Sequence, residues 1–176
     1  FQYVGQLTIN TDGSVQSSLI DITNGNMNAD NETIQFVEQL KEEVSGKGNF
    51  VIGHSDVDLM IYDSEGNRIV RKQETNIGDF CADALRSFTD ADIAMVNGGG
   101  IRTNIKRGEI LFNDLYNVMP FGDMIATGTF YGEQLLDVLE FAVSALPTEA
   151  GTFMQVSGLR FTVDPDIPSP VMKDTE

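Results

Sequence analysis

Ile77, Phe80, Cys81, Ala84, Leu85 and Phe88 recur at spacings 0, 3, 4, 7, 8 and 11. That is the period of an amphipathic α-helix with one continuous apolar stripe. Such a helix is stable only when another layer covers the stripe, so its neighbours in the chain decide the class of fold. Those neighbours are short β-rich runs. Phe50–Ile52 reads as a buried strand and Ile93–Val96 as another, while Leu59–Tyr62 and Arg68–Val70 flank a turn at Ser64-Glu65-Gly66. Further on, Asn113 is placed to cap a short helix ending at Met119-Pro120, and Ile125–Tyr131 reads as a strand. Gly132–Ser144 is a second amphipathic helix, carrying Leu135, Leu136, Leu139 and Ala142. Phe153–Val156 and Leu159–Val163 read as closing strands, and the proline-rich 164–170 as irregular chain. Strands and helices intermix, which makes the class α/β (α+β).

The first residues differ in kind. Runs 2–9 and 15–22 are β-rich and meet at Asp12-Gly13, a hairpin turn signal. The polar stretch Asn24–Asp30 has no period and reads as a linker. Asn31 then caps a helix with Ile34, Val37, Leu40 and Val44 on one face and Gly46 at its end. We expect three parts: a hairpin over 1–23, a linker and connecting helix over 24–48, and a domain over 49–176.

Composition narrows the chemistry. A formal charge of −16 repels phosphate backbones, so broad nucleic-acid binding is disfavoured and each of the eleven basic residues becomes informative. No apolar run approaches the roughly 20 residues of a membrane span, and the composition reads as that of a soluble globular protein. Cys81 is the only cysteine, which excludes an intrachain disulfide. The chain opens on Phe1 with no leader after it, as a processed or excised piece would. A metal-dependent hydrolase needs a cluster of His and carboxylate ligands. Here His54 is the lone histidine, and it reads as structural or solvent-facing. Neither nucleophile elbow nor Cys/His pair is present, so the expected catalytic and metal residues are none.

Three segments remain. Asn97-Gly98-Gly99-Gly100-Ile101-Arg102 follows a strand. Its glycines let a ligand approach the backbone amides, and Arg102 offers a planar fork for phosphate or carboxylate. The same glycines would equally serve as a flexible connection. Arg71 precedes the Glu74–Asp79 helix start, where Thr75 or Asn76 is the cap; it either aims at the ligand of Arg102 or is an exposed strand arginine. Phe121, in Met119-Pro120-Phe121-Gly122, offers a stacking face for a base or else fills the core.

Taken in order, V-R-x-x-E-T-N-x-G-D (Val70–Asp79), N-G-G-G-I-R (Asn97–Arg102), and then G-x-I with M-P-F-G (Gly108 to Gly122) resemble the C-terminal domain of the 5′-nucleotidase family. UDP-sugar hydrolases and 2′,3′-cyclic-nucleotide phosphodiesterases belong to the same group. G-x-x-L-x-x-V-L-E (Gly132–Glu140) and F-M-Q-V-S-G-L-R-F (Phe153–Phe161) extend the match over about residues 32–164.

The resemblance implies a layered αββα domain, with mixed sheets flanked by helices. It implies that Arg71 and Arg102 engage phosphate groups, that Asn97 and Gly100 contact a base beside Gly99, and that Phe121 is one of two rings that sandwich it. The hairpin 1–23 would be the tail of an N-terminal metallophosphatase domain holding divalent metal ions, with no cofactor in the present stretch. The family's second ring and a ribose-binding Asp lie in a segment of the type N-G-G-D-G-[FY], which this sequence lacks. The chain thus resembles a C-terminally truncated domain, inactive by itself and a weak binder of nucleosides. The expected whole is an exported nucleotide phosphohydrolase, extracellular, periplasmic or cell-wall associated. The alternatives are a non-catalytic surface binding or scaffold module and, more remotely, a sulfur-oxidation relative.

Overall fold

The computed structural model describes residues 2–23, 30–45 and 48–169. It divides into two compact units, Phe1–Lys47 and Gly48–Glu176. The linker residues 24–29 and the expected helix stop Gly46 lie outside the described residues.

In the first unit β1 (Tyr3–Ile9) and β2 (Val15–Asp21) form the expected hairpin, in register from Tyr3↔Asp21 to Ile9↔Val15. Gly13 takes φ +84° at the turn, a conformation side chains resist. The Asp12 carboxylate accepts the Ser14 amide at 2.9 Å. Helix α1 (Asn31–Ser45) is present, but Asp30 caps it rather than Asn31. The Asp30 carboxylate accepts the Thr33 amide at 2.9 Å, the reach an N-cap side chain has toward the third residue beyond it.

The second unit runs β3 (Val51–Ser55), α2 (Asn76–Thr89), β4 (Ala94–Asn97), β5 (Gly108–Leu111), α3 (Phe112–Val118), α4 (Gly132–Val143) and β6 (Met154–Ser157). β3 pairs with β5 and β4 with β6, both antiparallel. The class is α/β, with helices on small antiparallel sheets. Leu59, Ile61, Val70, Ile77, Cys81, Ala82, Val96, Ile101, Ile105, Ile110 and Val118 form one core.

Helix α2 is held by Thr75, whose hydroxyl accepts the Gly78 amide at 3.1 Å. Its buried face is narrower than its sequence stripe. Ile77, Gly78, Cys81 and Ala82 are buried, while Phe80 and Ala84 are exposed and Phe88 is 81% exposed. Close approach decides this. A Cβ on Gly78 would fall 2.1 Å from Gln155 Oε1, so the small residues face the sheet and the rings at 80 and 88 turn away.

Four other expectations are corrected. Phe50–Ile52 is exposed, because among the described residues β3 is paired along one edge only. Ile125–Tyr131 has no strand partner among the described residues and stays irregular and exposed; alternating apolar residues make a strand only where a neighbouring edge accepts their hydrogen bonds. Leu159–Val163 leaves the sheet at Gly158, which takes φ +79° against the Asp92 carbonyl. The start of α3 is bridged by Asp114, whose carboxylate accepts the Leu111 amide at 2.8 Å. Asn113 instead donates its side-chain amide to Asn49 at 3.0 Å.

Candidate functional site

The hairpin-like turn from Ile61 to Val70 delivers the first arginines. Ile69 donates to the Ile61 carbonyl at 2.9 Å, and the Asp63 carboxylate closes the tip by accepting the Glu65 and Asn67 amides. Val70 is then fully buried and Arg71 follows at the edge of the core. The Arg71 carbonyl accepts the Ala150 amide at 3.1 Å, which ties it to the loop after α4.

The triple-glycine turn packs against this same stretch. A Cβ on Gly98 would lie 2.0 Å from the Val70 carbonyl oxygen, and one on Gly99 would lie 2.9 Å from the backbone of Gly151. Glycine is required there for contact between backbones, so the turn is a packed junction rather than a flexible connection. Hydrogen bonds fasten it: Gly98 to the Phe153 carbonyl at 2.7 Å, and Gly99 to the Gly151 carbonyl at 3.0 Å. The Asn97 side-chain amide donates to that Gly151 carbonyl at 3.2 Å. Arg102 reaches back over the turn, one guanidinium nitrogen 3.1 Å from the Gly99 carbonyl.

Electrostatics single out Arg71. Burial pulls its guanidinium below the ordinary arginine range, and repulsion from Arg68 and Arg102 adds to the effect, with Glu149 acting in the opposite direction. Glu149 is engaged by Arg68, through Nε at 2.9 Å, and its carboxylate is held below the usual range by that bond. Arg71 Nε is buried and has no hydrogen-bond partner among the described residues. A buried, unpaired guanidinium donor beside two like charges is costly unless an anion completes it. The cluster is cationic in a chain of charge −16.

Phe121 joins from the other side. The Arg102 guanidinium carbon stands 5.7 Å from its ring centroid, and the ring is 60% exposed. It is a surface ring, not a core one. Arg71, Asn97, Gly99 and Gly100 thus meet at the turn, and Arg102 links the turn to the Phe121 ring. His54 is exposed on β3, with Nδ1 3.6 Å from an Asp56 oxygen. Among the described residues no group of three or more His, Cys, Asp or Glu side chains is arranged to hold a metal ion.

Sequence reasoning missed Arg68, Glu149, Gly151 and Gln155. Gln155 had a legible signal: Met154-Gln155-Val156-Ser157 puts two polar residues on one face of a strand. In β6 that face is the inner one.

Residues 51–171 match the family model described as 5′-nucleotidase, C-terminal domain. The chain is 37% identical over 136 residues to the trifunctional nucleotide phosphoesterase protein YfkN of Bacillus subtilis, a match covering 74% of this chain and 9% of that protein. It is 31% identical over 159 residues to a 5′-nucleotidase of Vibrio parahaemolyticus, covering 90% of this chain and 27% of the relative. The crystal structure of a 5′-nucleotidase precursor from Thermus thermophilus superposes with a TM-score of 0.68 at 29% identity, over 96% of this chain and 34% of that one. The chain spans about a third or less of the length of each. It belongs to the 5′-nucleotidase C-terminal domain family.

Proposed function

We propose that this chain is the nucleotide-binding part of an exported, metal-dependent 5′-nucleotidase-type phosphohydrolase. What supports this is that Arg71 and Arg102 both meet the glycine turn, with the Phe121 ring beside the Arg102 guanidinium and Arg71 Nε a buried donor without an acceptor among the described residues. Arg71 and Arg102 take phosphate oxygens, and a guanidinium fork matches that geometry. Phe121 offers its exposed face to the base. Asn97 and the backbone of Gly99 and Gly100 meet the base edge.

The donor set here does not fit a divalent metal, since no carboxylate or histidine cluster is available among the described residues. No bond-breaking step is therefore assigned to these residues. They bind and orient, and orientation alone can supply a large share of a rate enhancement. Hydrolysis belongs to an N-terminal phosphoesterase domain of the same protein, which holds the metal ions and of which the β1–β2 hairpin is the last part. The residues of this chain are inactive without it. The arrangement calls for no nucleic acid, and no described helix is long and apolar enough to cross a membrane. The whole protein acts outside the cytoplasm in this reading.

The test is phosphate release by the whole protein over a panel of nucleotides, with and without a chelator. Arg102→Ala should lower kcat/KM by about tenfold or more, the loss expected for a charge-assisted phosphate contact. Turnover unchanged by that substitution removes the arginines from the site. Binding without any phosphate release returns the reading to a non-catalytic surface module.

A further inference from the structure

One buried side chain uses every donor and acceptor it has, and it belongs to neither arginine. Gln155, on β6, is 1% exposed. Its Nε2 donates to the Val70 carbonyl at 2.9 Å and to the Gln73 carbonyl at 2.7 Å. Its Oε1 accepts the Thr75 amide at 3.0 Å and lies 3.4 Å from the Thr75 hydroxyl. A glutamine amide has two donors and two lone pairs, and all four are used. The fold makes room for this side chain by leaving position 78 as glycine, where a Cβ would strike it.

The bonds fall on both sides of Arg71. Carbonyls 70 and 73 bracket its backbone, and Thr75 begins the helix that follows. Meanwhile Gln155 itself sits opposite Val96 in the β4–β6 pair, and β4 runs straight into Asn97 and the glycine turn. One buried amide thus links the stretch bearing Arg71 to the strand bearing Arg102's turn. Buried amides in such positions fix geometry because every alternative leaves a donor or acceptor unpaired.

We propose that Gln155 is a positioning residue for the anion site, setting Arg71 against the Gly98–Arg102 turn. This rests on the nucleotide reading above. Ser157, two residues along on the same face, serves as a comparison: it accepts from Arg86 Nε at 2.8 Å and donates to Asp83, so it ties β6 to the far end of α2, away from Arg71.

A double-mutant cycle on nucleotide hydrolysis by the whole protein separates positioning from general weakening. Gln155→Met keeps length and volume and removes the amide. It should lower kcat/KM by about tenfold in the wild-type background and less than about twofold when Arg71 is already Ala, because an effect exerted through Arg71 disappears with it. Ser157→Ala, at a similar thermal midpoint, should change kcat/KM less than about twofold in either background. Equal losses from Gln155→Met in both backgrounds, or equal losses from Ser157→Ala, overturn the assignment. Gln155→Glu covers the case in which Gln155→Met fails to fold. It is near in shape, sets a carboxylate against two carbonyls, and should recover nucleotide turnover relative to wild type as pH falls and the acid becomes a donor again; a flat ratio across pH overturns the proposal. A wild-type protein that turns over no nucleotide at all removes the underlying reading, and the positioning role with it. Normal wild-type turnover with unaltered variants removes the positioning role alone.

Discussion

The floor and the rim of the candidate site are built in opposite ways. On the floor, residues 70–75, 97–102 and 150–157 meet backbone to backbone, with glycines at 98, 99 and 151 and hydrogen bonds from 150–157 to each of the other two. Along the rim, from Phe121 to Tyr131, the chain is exposed throughout and pairs with no strand among the described residues; Met124 is 93% exposed. The arginines rise from the floor, and the ring sits on the rim. Anion recognition demands fixed donors at short range, which a packed floor provides. Stacking demands only a face, and an exposed ring provides that.

The contrast is sharpest at glycine. Gly98→Ala drives a methyl group onto the Val70 carbonyl oxygen, 2.0 Å from the ideal Cβ, and both sides of that contact are backbone. The chain must shift or fail to close, so unfolding in denaturant should show a loss of about 3 kcal/mol or more. Gly132→Ala, at the start of α4, meets nothing within 4 Å. It should stay within about 0.5 kcal/mol of the wild type or gain slightly, since alanine favours helix. Similar costs at the two positions would erase the distinction between a packed floor and an open surface.

What was legible in the sequence follows the same division. Local signals held where the partner is the adjacent chain: the Asp12-Gly13 turn, the Thr75 cap, and the helical period of α2 and α4 all depend on residues a few positions away. The cap of α1 fell one residue before the expected Asn31 because Asp30 and Asn31 are chemically interchangeable until backbone direction chooses between them, and the cap of α3 falls at Leu111, two residues before Asn113, because Asp114 reaches back to the Leu111 amide. The strand expected over Ile125–Tyr131 needed an edge from elsewhere, and alternation cannot say whether one is supplied. The site residues were readable as guanidinium, glycine and ring in a family order. Their supports were less so: the polar alternation at Gln155 was readable, but what Gln155, Glu149 and Gly151 touch lies about 50 to 85 residues distant in sequence, and no spacing rule reaches that far.

Beneath the floor, Cys81 reports how dry the core is. Burial pushes its thiol from 9.0 up to about 11. A group whose folded pKa is raised contributes stability fully below the unfolded value and loses it as pH rises through the folded one. Between pH 9 and 11 the unfolded chain ionises this thiol while the folded chain does not, so stability should fall by about 2 kcal/mol from this group alone. Comparing wild type with Cys81→Ala in denaturant titrations from pH 8.5 to 11 cancels the lysines and tyrosines common to both. A wild-type slope no steeper than that of the variant would mean water reaches the inner face of α2.

The rim gives the smallest expected effect and the cleanest one to read. Phe121 is mostly exposed and its recorded ring contact is with Arg102, at a distance where a cation–π attraction on a surface is worth about 0.5–1 kcal/mol. Removing the ring should therefore leave folding nearly untouched, with a shift in thermal midpoint of no more than about 4 °C for a chain of this size. Nucleotide binding by the whole protein should respond instead. Loss of one stacked base face costs about 1–3 kcal/mol, so Phe121→Ala should weaken binding of a nucleotide by roughly tenfold while Phe121→Tyr keeps it near wild type. Inorganic phosphate, which has no base, should bind both variants as it binds wild type. If Phe121→Ala weakened phosphate as much as nucleotide, the ring would be holding Arg102 in place rather than meeting the base, and rim and floor would be one device.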